Sequence, residues 1–137
     1  MLNPLRYAAA LAIATGGSMH LIGLIKSIFD GQVFSWVFYA VFLFAIPGYF
    51  LSAYLIFKNV IWGYIITATA PLVGGALIFY GFITPESQFL FFIPGTYTNE
   101  ITLIGFITLI SEPVAATFSI FLLTNKIWRY RKQDSQA

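Results

Sequence analysis

The sequence predicts an all-α integral membrane protein, a bundle of four transmembrane helices, and three observations support this fold class. Hydrophobic residues make up 59% of the chain and charged residues only 9%, far from the balance of a soluble domain. The apolar residues form four runs, each long enough to cross about 30 Å of hydrocarbon as a helix. Basic residues gather beside the ends of these runs. Because the four spans use nearly all of the 137 residues, we expect one domain with no soluble catalytic part.

The first two spans are separated by a short polar turn. The first covers about residues 7–29 and the second about residues 33–57, with Asp30-Gly31-Gln32 between them. The first run is longer than the roughly 7–15 apolar residues of a signal peptide core, so we expect a membrane span rather than a leader.

The third and fourth spans follow two very different connections. Lys58-Asn59 is the whole link to the third span, at about residues 60–82, which makes the second and third helices antiparallel neighbours. The fourth span covers about residues 101–127 and leads into a basic tail, residues 128–137.

The connection between the third and fourth spans contains a predicted interfacial helix at about residues 84–93. Thr84 suits the N-cap, Pro85 the first helical position and Glu86 the first turn. An apolar stretch, residues 88–93, follows and would dip into the outer membrane interface. Two interpretations stay open, a lid over the end of the bundle and a docking surface for another subunit.

The distribution of Lys and Arg predicts the orientation. Only Lys26 falls on the side opposite to the two chain ends. The topology anchors on the side of the chain ends are Arg6, Lys58, Lys126, Arg129, Arg131 and Lys132. Cytoplasmic segments carry the excess of basic residues, so we expect a multi-pass protein of the plasma or inner membrane with both termini in the cytoplasm. The same basicity gives no reason to expect nucleic acid binding.

Small residues recur at three- and four-residue spacing in every span, which predicts the faces where helices pack. The stripes are Gly16, Gly17, His20, Gly23 and Ser27 in the first span, Ala45, Gly48 and Ser52 in the second, Gly63, Thr67, Ala70 and Gly74 in the third, and Gly105, Thr108, Glu112, Ala115, Ala116 and Ser119 in the fourth. Phe, Leu and Ile on the other faces would contact lipid or a partner subunit.

His20 and Glu112 are the candidate intramembrane polar pair, because ionisable groups deep in a membrane are costly and usually face each other or the bundle interior. Counting helix rise places them within about 5–7 Å of the same depth, so a hydrogen bond or ion pair between them is possible. Ser111, Thr67 and Thr69 are candidates to complete the network. The pair would either fix the helix packing or serve transport, proton handling or cofactor ligation.

Three prolines lie near the middle of their spans: Pro47, Pro71 and Pro113. Each removes a backbone donor, so each is expected to kink its helix. The kinks would either serve packing or shape a cavity at the midplane of the membrane.

The sequence indicates neither an autonomous enzyme nor a metal protein. Cysteine is absent, which excludes thiol chemistry and cysteine ligands. His20 beside Met19 is a poor copper site because neighbouring helical residues point about 100° apart, and a single His could supply only one haem ligand. No phosphate loop, dinucleotide motif or nucleophile with its base is present. We expect no catalytic residues and no cofactor other than bound lipid.

Two functional hypotheses remain. The first is a non-catalytic accessory or structural subunit of a multi-subunit membrane complex of respiratory, redox or oxygenase type, with lipids and other membrane subunits as partners. The second is a small homo-oligomeric transporter or channel that uses His20 and Glu112. A pathway normally needs more polar lining than one helical face offers, which favours the first.

Overall fold

The computed structural model describes residues 3–29, 36–83 and 103–134, and within these ranges the chain is all-helical. The helices are α1 (Asn3–Phe29), α2 (Trp36–Phe57), α3 (Ile61–Ile83) and α4 (Leu103–Asp134). Helix α1 starts earlier than the predicted span and α4 runs beyond it, so much of the predicted basic tail is helical. The predicted interfacial helix at residues 84–93 lies outside the described residues.

Two of the helices are long and apolar enough to cross a membrane. The candidate spans are Pro4–Lys26 in α1 and Leu103–Gln133 in α4. Helices α2 and α3 contain 22 and 23 residues. Their fully described apolar stretches, Phe42–Phe57 and Ile61–Leu72, are shorter than 18 residues. Their crossing of a membrane is therefore part of the functional proposal below.

The four helices pack in a ring. Helix α1 contacts α2 and α4, and α3 contacts the same two helices from the other side. Because α2 and α3 are joined by a tight turn, they run antiparallel. The Tyr7 ring of α1 lies 5.6 Å from the Phe57 ring of α2, and the Lys126 ammonium of α4 bonds the Asn59 carbonyl before α3. The starts of α1 and α3 therefore lie at the same end of the molecule as the last turns of α2 and α4.

Glycines allow the closest helix contacts. A Cβ atom added at Gly17 would lie 2.7 Å from the Cβ atom of Tyr49, so α1 and α2 touch at backbone distance. A Cβ atom at Gly63 would lie 2.6 Å from the backbone nitrogen of Ile56, where α3 begins against the end of α2. Small residues at helix contacts are typical of helices that associate in lipid.

The predicted small-residue stripes of α1, α3 and α4 are buried wherever their side chains are described, but the stripe of α2 is wrong in part. Its interior residues are Phe42, Ile46, Tyr49, Ser52 and Ile56. Gly48 is only half-buried, and an added Cβ atom there would meet nothing within 4 Å. Spacing alone misplaced this face because α2 presents large side chains to the glycines of α1.

The link between α2 and α3 is a Schellman motif closed by Asn59. Its backbone has φ 61°, the left-handed conformation. The Asn59 amide donates to the Ile56 carbonyl at 2.8 Å, and the Val60 amide donates to the Leu55 carbonyl at 2.8 Å. These are the two bonds of the motif, with asparagine in the position more often taken by glycine. The motif turns the chain sharply and brings Gly63 against α2.

Candidate functional site

The structure brings His20 of α1 and Glu112 of α4 together. The Nε2 atom of His20 lies 2.7 Å from the Oε1 atom of Glu112. Each residue is only 3% exposed, although no other copy of the chain covers them. Both lie on the buried stripes of their helices, at the contact between α1 and α4. The pair is therefore contained within one chain.

Tyr49 of α2 is the third member of this site, and the sequence analysis missed it. Its hydroxyl donates to the same Oε1 atom of Glu112 at 2.6 Å. The Tyr49 ring also lies 5.1 Å from the His20 ring, centroid to centroid. The Phe42 ring, earlier in α2, lies 5.7 Å from the imidazole, centroid to centroid, in an edge-on arrangement. The signal in the sequence was the spacing of Phe42, Tyr49 and Ile56, seven residues apart, on one helical face.

Gly16 makes the space for this cluster of His20, Tyr49 and Glu112, hereafter the polar cluster. A Cβ atom at Gly16 would lie 3.3 Å from Cγ of Glu112 and 3.6 Å from Cε1 of Tyr49. The distance to Glu112 is tighter than nine in ten real Cβ contacts, and the distance to Tyr49 is an ordinary van der Waals contact. Glycine therefore lets the carboxyl group reach the imidazole from α4 while the phenol reaches it from α2.

A single carboxyl oxygen joins three helices. Oε1 of Glu112 accepts a hydrogen bond from the Tyr49 hydroxyl. We place a proton on Nε2 of His20, so that the imidazole donates a hydrogen bond to the same oxygen. In this assignment Oε1 of Glu112 accepts two hydrogen bonds, one from each neighbouring helix. The cluster can fix the helices in register, and it also holds two exchangeable protons beside a shared acceptor.

The other predicted members do not join the cluster. The Ser111 hydroxyl donates to the Thr108 carbonyl at 3.3 Å, and the Thr69 hydroxyl donates to the Ile66 carbonyl at 2.8 Å. Thr67 is fully buried, but its hydroxyl has no hydrogen-bond partner among the described residues. The hydroxyls of Ser111 and Thr69 therefore bond within their own helices, and the Thr67 hydroxyl does not reach the cluster.

The three prolines lie inside helices, at Pro47 in α2, Pro71 in α3 and Pro113 in α4. Pro47 and Pro113 are exposed and Pro71 is half-buried. The exposed rings face outwards, so the three prolines do not line one interior site. They give no support to the midplane cavity considered above.

No group of three or more His, Cys, Asp or Glu side chains lies together in the part of the chain that the structure describes. His20 and Glu112 offer only one nitrogen and one carboxyl group, and Nε2 and Oε1 already face each other. A closed metal site needs about four such ligands. The described residues therefore do not form one.

The topology anchors lie at the end of the molecule where α1 starts and α4 finishes. Several of them stack on aromatic rings: Arg6 on Tyr7, Lys58 on Tyr54, Lys126 on Tyr64 and Lys132 on Trp128. The Lys126 ammonium also donates to the Asn59 carbonyl at 2.7 Å. This bond ties the last turns of α4 to the turn between α2 and α3.

Comparison with protein-family models, curated proteins and solved structures finds no match to this chain.

Proposed function

We propose that this chain is a four-span membrane protein, with both termini cytoplasmic, that serves as a non-catalytic subunit of a multi-subunit membrane complex of respiratory, redox or oxygenase type. In this proposal α2 and α3 cross the membrane beside α1 and α4. The polar cluster holds the chain in one shape, and the apolar outer faces contact lipid and a core subunit.

The observation that carries the proposal is the burial of His20 and Glu112 inside a single chain. A homo-oligomeric pore built on these residues would need them at the surface of one chain, facing the central axis. Both are instead nearly inaccessible and bonded to each other. A polar pair closed within the bundle in this way fixes the packing of α1 against α4, which suits a structural role.

The outer surface supports placement in a membrane. Large apolar side chains are exposed on all four helices, for example Leu11, Phe44, Leu72 and Leu103. A soluble monomer rarely exposes a continuous surface of this kind. At the basic end the exposed side chains include several amphipathic aromatics, which are Tyr7, Tyr54, Trp62, Trp128 and Tyr130. Tyr and Trp concentrate where a bilayer meets water, and with the basic anchors they suit the cytoplasmic interface.

The test is extraction of the tagged chain from its native membrane in a mild detergent, followed by native electrophoresis and mass spectrometry of the co-migrating chains. We expect a stable heteromeric band whose other subunits identify the parent activity. Two variants map the contact: Phe44→Ala removes an exposed ring from α2, and Phe121→Ala removes one from α4. Loss of the partner in only one variant locates the contact face. A chain that migrates as a homo-oligomer and mediates flux alone in liposomes would refute the proposal.

A second candidate, a small transporter or channel that handles protons, draws on one specific observation. Tyr49, Glu112 and His20 place two exchangeable protons on either side of one carboxyl oxygen. A relay of this kind predicts proton flux in proteoliposomes that disappears in Glu112→Gln, which keeps the size of the side chain and removes its charge. Ser111→Ala is the matched control, because it removes a neighbouring hydroxyl that donates only to the Thr108 carbonyl of its own helix. Wild-type flux in Glu112→Gln would exclude the relay.

A further inference from the structure

A cleft of about 420 Å³ opens at the basic end of the molecule, away from the polar cluster. It lies between the start of α1, the turn before α3 and the last turns of α4. Its lining residues are Arg6, Asn59, Tyr64, Leu122, Lys126, Arg129, Tyr130 and Gln133. Three of these side chains are cationic and none is acidic, so the cleft concentrates positive charge in a small volume.

The cationic groups have donors to spare. The Nε atom of Arg6 is buried and has no hydrogen-bond partner among the described residues. A buried donor without a partner is costly, so its presence points to an acceptor that binds from outside. The Lys126 ammonium uses one of its three protons on the Asn59 carbonyl, which fixes the ammonium at the cleft. Arg129 is exposed, so its guanidinium can close on a bound anion.

We propose that this cleft binds a phosphate group, presented either by an anionic lipid headgroup or by a soluble phosphate compound. Guanidinium groups match phosphate oxygens with paired hydrogen bonds, and an ammonium adds a point charge. The phenol of Tyr130 and the amide of Gln133 supply neutral donors at the rim. The exposed Tyr and Trp side chains around this end place the cleft at the level where a bilayer carries its phosphates.

The test measures the thermal stability of the purified full-length chain in a non-ionic detergent. Three probes are titrated: dioctanoyl phosphatidylglycerol, dioctanoyl phosphatidylcholine and inorganic phosphate. A ligand that binds only the folded chain raises the melting temperature in proportion to its affinity. We expect phosphatidylglycerol to stabilise the chain and phosphatidylcholine, whose headgroup has no net charge, to have little effect. If inorganic phosphate also stabilises the chain, a soluble phosphate compound can supply the bound phosphate group. If only phosphatidylglycerol stabilises it, the bound group is a lipid headgroup.

Variants tie the binding to the cleft. Arg6→Gln and Arg129→Gln each remove one lining charge, and each should weaken binding by about ten-fold or more, the loss expected for one charge-assisted hydrogen bond. Arg129 is exposed, so its replacement tests the site without disturbing the core. Lys58→Gln is the matched control, because it removes one charge from the same end outside the cleft lining. Equal weakening by all three variants, equal binding of both lipids, or no response to any probe would overturn the proposal.

Discussion

Replacing Gly17 by alanine tests whether α1 and α2 pack as closely as the structure indicates. The new Cβ atom would lie 2.7 Å from Cβ of Tyr49, about 1 Å inside the usual contact distance of two carbon atoms. Neither Cβ atom can rotate away, because both are fixed to their backbones. The helices must therefore separate locally, and overpacking of this kind costs about 1–3 kcal/mol.

Gly48→Ala is the matched control, since it makes the same chemical change where an added Cβ atom meets nothing within 4 Å. Alanine is the better helix former by about 0.5–1 kcal/mol, and this gain applies to both variants. In the difference between the two variants the gain cancels, which leaves the packing cost. We therefore expect Gly17→Ala to be less stable than Gly48→Ala by about 1–3 kcal/mol.

The assay is reversible unfolding in mixed detergent micelles. The fraction of sodium dodecyl sulfate is increased stepwise, and the loss of helix is measured by far-ultraviolet circular dichroism. The free energy of unfolding is compared among the wild type and the two variants under one set of conditions. Equal stability of the two variants would refute the close contact between α1 and α2. It would also imply that the Gly16-Gly17 pair serves contact with another chain rather than contact within this one.

Two further variants test the polar cluster and the turn with the same assay. Tyr49→Phe deletes only the hydroxyl that donates to Glu112, so we expect a loss of about 0.5–1.5 kcal/mol, the range for one intramolecular hydrogen bond, and unchanged stability would contradict that bond. Asn59→Ala should be less stable than Asn59→Gly by about 1 kcal/mol, because both lose the bond from the Tyr64 hydroxyl but only glycine adopts a φ of 61° without strain. Equal stability of these two variants would count against the left-handed turn.

The helices could be predicted from the sequence because hydrophobic length and small-residue spacing are local properties. The contact of His20 with Glu112 could be anticipated for a related reason: two polar residues on buried faces at similar depth have few other partners. Counting residues along each helix was sufficient to place both at one level.

Tyr49 could not be recognised in the same way. A tyrosine in an apolar helix is compatible with lipid contact, with an interface or with a buried hydrogen bond, and the residues around it in the same helix do not distinguish these three environments. The decisive feature is the absence of side chains at Gly16 and Gly17 on another helix, which opens the space that the phenol fills. The buried position of Tyr49 depends on the packing of α1 against α2, and the periodicity of α2 alone does not give that packing.

The contact between α1 and α4 links the two sites of the molecule. Arg6 precedes His20 by about four helical turns, and Glu112 precedes Lys126 by the same interval, so each helix carries one residue of each site on the same face. The two sites are therefore about 21 Å apart along one shared contact. The polar cluster fixes the register of α1 against α4, and that register determines how closely Arg6 approaches Lys126. The polar cluster, although it does not touch the basic cleft, thus sets the geometry in which the cleft can bind an anion.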